Sequence, residues 1–472
     1  MSLDAPAGGV ADAAGFEARL TEVRAAQPGA EVAEVYATDL NGVARGKLVP
    51  IEMLGKLGQG RMRLPISSLA LDVFGTDVPE AGLALERGDP DGLMLPIVDS
   101  IAPMLWARRP TLQVQCMLSE QPRGDTPPPV AEIDPRGVLM RVLDRARAMG
   151  FTPVMALELE FYLIDAERPL PPKNPLAGGR LRRAQVYDME VVRAFEPVLG
   201  EIGAAARALG APAETAICEF GPGQFEINLA HTDDPLSACD HVVALRRAVR
   251  GVARKAGLDA SFMAKPFGDM AGSGQHLHLS LKDGAGRPVF GEGDVVAHGD
   301  GVLSPLLASA VAGVLDSLGE AMLVQAPHLN SYRRFAPGSY APMVAAWGYD
   351  NRGVAVRVPE TTGPAARLEA RLAGADANPY LLAAAVLAGA LAGIEAGAVP
   401  PAPIPAEAGP GDGTPLPLSW AMAEARFSDS GFVAGWLGAE FARVYAAMKR
   451  QERATLMTRV PDIEYDAYLR VV

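Results

Sequence analysis

Glutamate, histidine and arginine alternate with apolar residues in five short stretches of this chain. Glu158 and Glu160 do so within residues 154–164, Glu219 and Glu226 within 217–229, and His276, His278 and Ser280 within 276–281. Arg352 and Arg357 lie within 351–359, and Arg367, Glu369 and Arg371 within 367–372. Successive side chains of a strand leave opposite faces, so each stretch reads as a strand with one apolar and one reactive face. Were these strands to adjoin, five carboxylates would converge, and such a cluster repels itself unless cations neutralise it. An oxygen-rich set with one imidazole favours Mg²⁺ or Mn²⁺ over Zn²⁺. Guanidinium groups beside carboxylates that hold such ions suit phosphoryl transfer, where the catalyst mainly positions and neutralises charge.

Each motif alone is weak. A single Glu-x-Glu is ordinarily a solvated face, and Arg367-Leu368-Glu369-Ala370-Arg371 alone would be surface salt bridges. Five such windows in one region weigh the other way. No Walker-type loop, dinucleotide fingerprint or His-Glu-x-x-His occurs, so a nucleotide would be held differently.

The elements that must position these groups can be sketched from pattern. Leu277, Leu279 and Leu281 back the histidines, and Leu368, Ala370 and Leu372 back the last acidic strand. Gly221-Pro222-Gly223, between Glu219 and Glu226, permits a sharp change of direction. Asn41-Gly42 is a hairpin turn between strands 31–36 and 43–49, and strand-like runs continue to 111–118. The Pro/Gly-rich run 121–129 is the boundary, giving an N-terminal domain over 21–125 and a catalytic domain over 126–472. Asp134-Pro135 opens a helix, and helical patterns recur at 190–209, 236–256, 304–322 and 379–397. The reactive strands fall between them, so the fold class is α+β. Residues 1–20 read as a flexible lead-in, and Cys218, facing away from Glu219, as a small core residue.

Composition narrows the function. The chain has 472 residues, 49% hydrophobic, enough for a large core and more than one domain. A net charge of −13 without a basic cluster excludes a nucleic-acid partner. Three cysteines fit a reducing cytosol rather than a disulfide framework, and the N-terminus lacks the basic start and apolar run of a signal peptide. The expected location is cytoplasmic. Residues 381–399 are apolar apart from Glu395, but eight are Ala and three are Gly, which predicts a buried helix and no membrane span.

Taken together, the windows resemble the glutamine synthetase superfamily. Lys265-Pro266-Phe267-Gly268-Asp269 and Gly272-Ser273-Gly274-Gln275-His276-Leu277-His278 look like its Lys-Pro…Gly-Ser-Gly-x-His-x-His segment. Asn330-Ser331-Tyr332-Arg333-Arg334, with Pro337-Gly338 and Ala341-Pro342, resembles its flap, and Asn378-Pro379-Tyr380 closes the order. The resemblance implies an N-terminal β-grasp domain followed by a catalytic domain with a curved antiparallel sheet. It implies active sites between subunits of a homo-oligomer, a dodecamer of stacked rings. It also implies two or three Mg²⁺ or Mn²⁺ ions per site, with ATP and L-glutamate as substrates. By the same resemblance Glu160, Glu219 and Glu226 hold one ion, and Glu158, His276 and Glu369 the other. His278, Ser280, Arg357 and Arg367 face ATP, Arg352 the phosphate in flight, and Gly272, Arg334 and Arg371 the glutamate.

The chain also departs from that pattern. Ammonia-using glutamine synthetases carry Pro-Gly-Tyr-Glu-Ala-Pro in the flap, whereas here Tyr340 stands where the glutamate would be. Pro65 replaces the Asp that precedes the N-terminal Ser pair, and Ala271 the Asn before Gly-Ser-Gly. Without those two anions the acceptor pocket suits an amine with a carbon chain, Tyr340 adding cation–π attraction. This is similar to the γ-glutamylpolyamine and γ-glutamylmonoamide synthetases. The expected activity is an ATP-dependent glutamate–amine ligase with putrescine or another polyamine favoured. The alternatives are a monoamine acceptor (ethanolamine or an alkylamine), ammonia, and an inactive structural assembly.

Overall fold

In a computed structural model the described residues are 13–121, 128–405 and 413–472. The chain opens on a helix, α1 (Ala13–Ala26), whose Phe16, Leu20 and Val23 are buried. The flexible lead-in expected over 1–20 is therefore corrected for 13–20, because Phe16 and Leu20 anchor this segment in the core; residues 1–12 lie outside the described residues.

Strands β1 (Val32–Thr38) and β2 (Ala44–Pro50) form the hairpin that Asn41-Gly42 predicts, with Gly42 at φ +76°. The short helix α2 (Leu54–Gly58) and strands β3 (Arg63–Pro65), β4 (Asp91–Pro96), β5 (Ala102–Pro103) and β6 (Thr111–Leu118) follow. They complete a sheet ordered β2-β1-β6-β4-β3, with β5 also on β6. β6 runs parallel to β1, which a grasp-type N-terminal unit requires. The boundary placed in 121–129 falls mostly on residues 122–127, outside the described residues.

The larger unit begins with α3 (Pro135–Ala148) and the long strand β7 (Phe151–Asp165). After them come α4 (Met189–Ala208), β8 (Ala213–Cys218), β9 (Gln224–Leu229), α5 (Pro235–Lys255), β10 (Leu258–Ser261) and β11 (Gln275–Asp283). The small hairpin β12 (Val296–His298) and β13 (Gly301–Leu303) leads into α6 (Pro305–Leu318) and α7 (Met322–Gln325). Next are β14 (Val344–Ala345), β15 (Trp347–Tyr349), β16 (Val356–Glu360), β17 (Arg367–Ala370) and α8 (Pro379–Ala396). The chain closes with β18 (Thr414–Pro415), α9 (Trp420–Ser428), α10 (Gly431–Trp436), α11 (Ala439–Met457) and α12 (Asp462–Tyr468). The central sheet runs β15-β16-β17-β11-β7-β9-β8, with β10 also on β7. It is antiparallel apart from the β15–β16 pair.

Local chemistry sets where several helices start. Asp134, Asp234, Ser304 and Asn378 each precede a proline, and each side chain accepts backbone N–H groups of the first helical turn. Proline at the first position loses no hydrogen bond there. Asn378 also donates its Nδ2 to Asp39 O at 2.9 Å, so one cap starts α8 and ties the two units together.

Helix α8 is the apolar segment noted in the sequence. It is long and apolar enough to cross a membrane, yet 78% of it is buried inside the molecule, against α3, α5 and α6. Its small residues are the reason. A Cβ on Gly313 of α6 would lie 2.2 Å from Gly389 O and 2.5 Å from Gly393 Cα, so the two backbones meet where side chains are missing.

Candidate active site

Strand register builds the site. Glu160 pairs with Glu226 across β7 and β9, and Glu158 with His276 across β7 and β11. His278 pairs with Glu369 across β11 and β17, and Glu369 with Arg357 across β17 and β16. One face of five adjacent strands thus carries the reactive groups, while Leu157, Leu159, Leu277, Leu279 and Leu368 are buried on the other.

Glu158 is the hub. Its Oε2 lies 3.2 Å from His276 Nδ1 and its Oε1 3.1 Å from His278 Nε2. Glu369 Oε1 is 3.8 Å from His276 Nδ1, and its two oxygens accept from Arg371 Nη1 and, at 2.5 Å, from Arg357 Nη1. Among the described residues, two groups have donor atoms all within 4.8 Å of one another: Glu158, Glu226 and His276, and Glu158, His278 and Glu369. Three donors of that kind at that spacing fit an oxygen-preferring divalent cation.

The electrostatics agree with a site built for cations. Burial pushes the Glu226 carboxyl up to about 9, and the charges of Glu158, Glu160 and Glu219 add to it. Burial and then Glu219 push Glu160 up to about 7, while burial also raises Glu219. Burial would raise Glu158 too, but the hydrogen bonds of His276 and His278 outweigh it and hold this carboxyl below its ordinary range. Burial and the neighbouring Arg371 bring His276 down to about 4, which keeps its imidazole neutral and able to ligate. Burial and mutual repulsion outweigh the attraction of Arg334, Arg352 and Arg371 at Glu160 and Glu219, and divalent ions would relieve that repulsion.

The other residues singled out in the sequence are placed as follows. Gly221-Pro222-Gly223 turns the chain between β8 and β9, with Gly223 at φ +84°, and Glu219 lies just beyond β8. Arg367 donates its Nε to His278 Nδ1 at 3.2 Å, leaving the His278 Nε2 proton for Glu158. Ser280 is half-buried on β11 opposite Val154. Arg334 is buried and donates Nη1 to Leu372 O at 2.7 Å and Ala373 O at 3.1 Å. A Cβ on Gly274 would lie 2.8 Å from Arg334 Nη2 and 2.9 Å from His276 Nε2, and one on Gly272 would lie 2.8 Å from Arg334 Cγ. The glycines of Gly-Ser-Gly therefore give Arg334 room to reach the histidine.

One strand expectation is corrected. The stretch 351–359 is a strand only from Val356 onward, because Asp350 takes φ +43° and Asn351 Oδ1 accepts from Gly353 N at 2.8 Å, which makes a turn. Arg352 is consequently exposed on that turn rather than aligned with Arg357. Tyr340 is 72% exposed in the segment after Arg334. Cys218 is buried and bonds to backbone carbonyls, as a core residue should.

Three contributors escaped the sequence reading. Gln224 donates to Glu160 Oε2 at 3.1 Å, and Asn228 donates to Glu226 Oε1 at 3.0 Å. Both lie two residues from Glu226, so the alternation already contained them. Asp350, which accepts Arg357 Nε at 3.0 Å, carried no such signal.

Fold and site together define the class: this chain belongs to the glutamine synthetase family, with residues 132–468 matching the glutamine synthetase catalytic domain. The gamma-glutamylputrescine synthetase of Escherichia coli is 38% identical over 94% of this chain and 92% of its own length. The glutamate–isopropylamine ligase of a Pseudomonas species is 32% identical over 92% and 94%. The gamma-glutamylethanolamide synthetase of Streptomyces coelicolor is 34% identical over 70% of each chain. Among solved structures, ligand-free GmaS superposes with a TM-score of 0.81 at 28% identity, over 96% of this chain and 99% of that one.

Proposed function

We propose that this protein is an ATP-dependent ligase joining the γ-carboxylate of L-glutamate to an amine through γ-glutamyl phosphate. The observation that carries this is the pair of metal-competent groups sharing Glu158, flanked by Arg357, Arg367 and Arg371. A carboxylate is a poor acyl donor, and phosphorylation supplies a leaving group; the protein's part is to align ATP with glutamate and offset charge.

In this reading Glu160, Glu219 and Glu226 hold one Mg²⁺ or Mn²⁺, and Glu158, His276 and Glu369 another; Glu158 and His276 also lie within ligand reach of Glu226, so the two sites adjoin at Glu158. The ions would supply the charge neutralisation that phosphoryl transfer needs. His278, Ser280, Arg357 and Arg367 receive ATP, and Arg352 meets the transferring phosphoryl group. Arg334 and Arg371, with the backbone at Gly272, receive glutamate; Arg suits this because its planar fork pairs with carboxylates. The exposure of Arg352 and Tyr340 supports sites completed by a neighbouring subunit, in a ring assembly that a dodecamer would satisfy.

Putrescine or a related polyamine is the favoured acceptor. Tyr340 offers an aromatic face where the flap of ammonia-using enzymes offers a carboxylate, and the putrescine enzyme is the relative named above with 38% identity. A monoamine is the second reading, favoured by the isopropylamine and ethanolamide relatives. ADP release measured with glutamate, ATP and a panel of putrescine, spermidine, ethanolamine, isopropylamine and ammonia decides between them. Ammonia as the best acceptor would overturn the proposal.

A further inference from the structure

Arg334 rides on a short 3₁₀ turn, Leu329–Arg334, a geometry with poor internal hydrogen bonding that needs outside support. That support comes from two places. Asn330 exchanges a pair of hydrogen bonds with the Lys265 backbone, each 2.9 Å. Ser331 accepts from His328 N at 3.0 Å and donates its Oγ to Asp376 Oδ2 at 2.7 Å.

Asp376 belongs to the irregular connection between β17 and α8, and that connection touches the site at several points. Arg334 Nη1 binds the carbonyls of Leu372 and Ala373. Ala373 O also accepts from Gln275 N, and Ala375 N donates to Ser273 O at 2.9 Å, so the same segment braces the Gly-Ser-Gly turn ahead of His276. From behind, buried Arg246 donates Nη2 to Gln275 Oε1, Ala375 O and Ala377 O. Close fit adds to this: a Cβ on Gly374 would lie 2.4 Å from Asp376 Oδ1 and 2.8 Å from Ala264 Cβ. The connection is held rigidly, and Asp376 is its one side chain bonded to the turn that carries Arg334.

We propose that Asp376 is a positioning residue for glutamate, fixing through Ser331 the turn that presents the Arg334 guanidinium beside His276. The two clamps close a ring, Ser331 to Asp376 at one end of the turn and Arg334 to Leu372 and Ala373 at the other. Opening the first leaves the backbone of 331–334 held by Asn330, by Ser339 Oγ donating to Arg334 O at 3.2 Å, and by the arginine that must itself be placed. The inference rests on the reading of Arg334 as a glutamate-binding residue.

Two measurements on the full-length protein test it. Hydrogen–deuterium exchange of the ligand-free protein reads the clamp without reference to any substrate. Asp376→Ala and Ser331→Ala should speed exchange over residues 329–336 and leave β7 and β11 unchanged, whereas Asp376→Asn, which retains an acceptor for Ser331, should match the parent. Steady-state kinetics then reads the consequence: Asp376→Ala should raise KM for glutamate by about 10-fold, since small misplacements of binding groups are costly. KM for ATP should stay within about twofold, and Asp376→Asn should restore the glutamate value. Unchanged exchange in both alanine variants, or equal rises in both KM values without rescue by Asn, would overturn the proposal. A parent enzyme that does not consume glutamate would instead overturn the proposed function, and the exchange result would still decide the clamp.

Discussion

Glu158 and His276 face one another directly across β7 and β11, with Oε2 and Nδ1 3.2 Å apart. Because Glu158 turns its other oxygen to His278, one carboxylate belongs to both candidate metal groups. Loss of that one side chain should therefore damage both, which a site with independent ligands would not show.

Glu158→Ala should lower Mn²⁺ affinity by more than the roughly 10- to 100-fold typical when an outer-shell partner is lost. Titration calorimetry or Mn²⁺ electron paramagnetic resonance would read both sites. Loss of only one class of bound ion would show that the two groups do not share Glu158.

Metal-free protein should lose stability as pH rises from about 4.5 to 9, most clearly above 6.5, where the neutral His276 no longer opposes the trend. Glu226 and Glu160 have folded pKa values of about 9 and about 7, above the ordinary 4.5, so the folded state holds protons that the unfolded state has released. Stability linked to such groups is complete below the unfolded pKa and is lost as pH climbs through the folded one. The depressed carboxyls of Glu158 and Glu369 act only on the acid side and do not oppose this trend. Melting temperatures in EDTA should fall across that range, Glu226→Gln should flatten the fall, and saturating Mg²⁺ should abolish it. A flat profile in EDTA would contradict the buried, mutually repelling cluster.

Tyr340→Glu should shift acceptor preference toward ammonia. The phenol is 72% exposed and so available to a substrate or a neighbouring subunit. Replacing cation–π attraction, worth about 0.5–2 kcal/mol, by an anion should change the ratio of kcat/KM for ammonia over putrescine by about 10-fold. An unchanged ratio would remove Tyr340 from the acceptor site.

Much of this was readable from the sequence because strand periodicity is simple. The alternation around Glu158, Glu160, His276, His278 and Glu369 located the reactive face, since one-residue register errors would bury those charges. What the alternation could not give was which strand lies beside which, so the sharing of Glu158 between two groups emerged only from the β7–β11 and β11–β17 pairings. The strand expected over 351–359 fails at Arg352 because a positive φ at Asp350 turns the chain, and nothing in an Asp-Asn-Arg-Gly run fixes that turn uniquely. Helix α1 was missed since Phe16 and Leu20 are few anchors in an otherwise small, polar segment. Asp376 makes its contact to Ser331, 45 positions away, which no local pattern records.

Gly313 offers a test of why α8 is rich in alanine and glycine. The helices α6 and α8 approach so closely that a methyl group at 313 would sit 2.2 Å from Gly389 O, and the atoms it meets are backbone that cannot swing aside. Overpacking of this sort typically costs about 1–3 kcal/mol, against a helix-propensity gain of roughly 1 kcal/mol for Gly→Ala. Gly313→Ala should thus lower the melting temperature despite improving local helix preference, while Gly435→Ala in α10, where the added carbon would meet nothing within 4 Å beyond the helix's own backbone, should not. Since α8 is capped by Asn378, the residue that bonds Asp39 of the N-terminal unit, displacement of α8 by Gly313→Ala should also loosen that joint. Faster proteolysis within 39–45 alongside the lower melting temperature is the expected result, and an unchanged or raised melting temperature would mean that the helices can part at no cost.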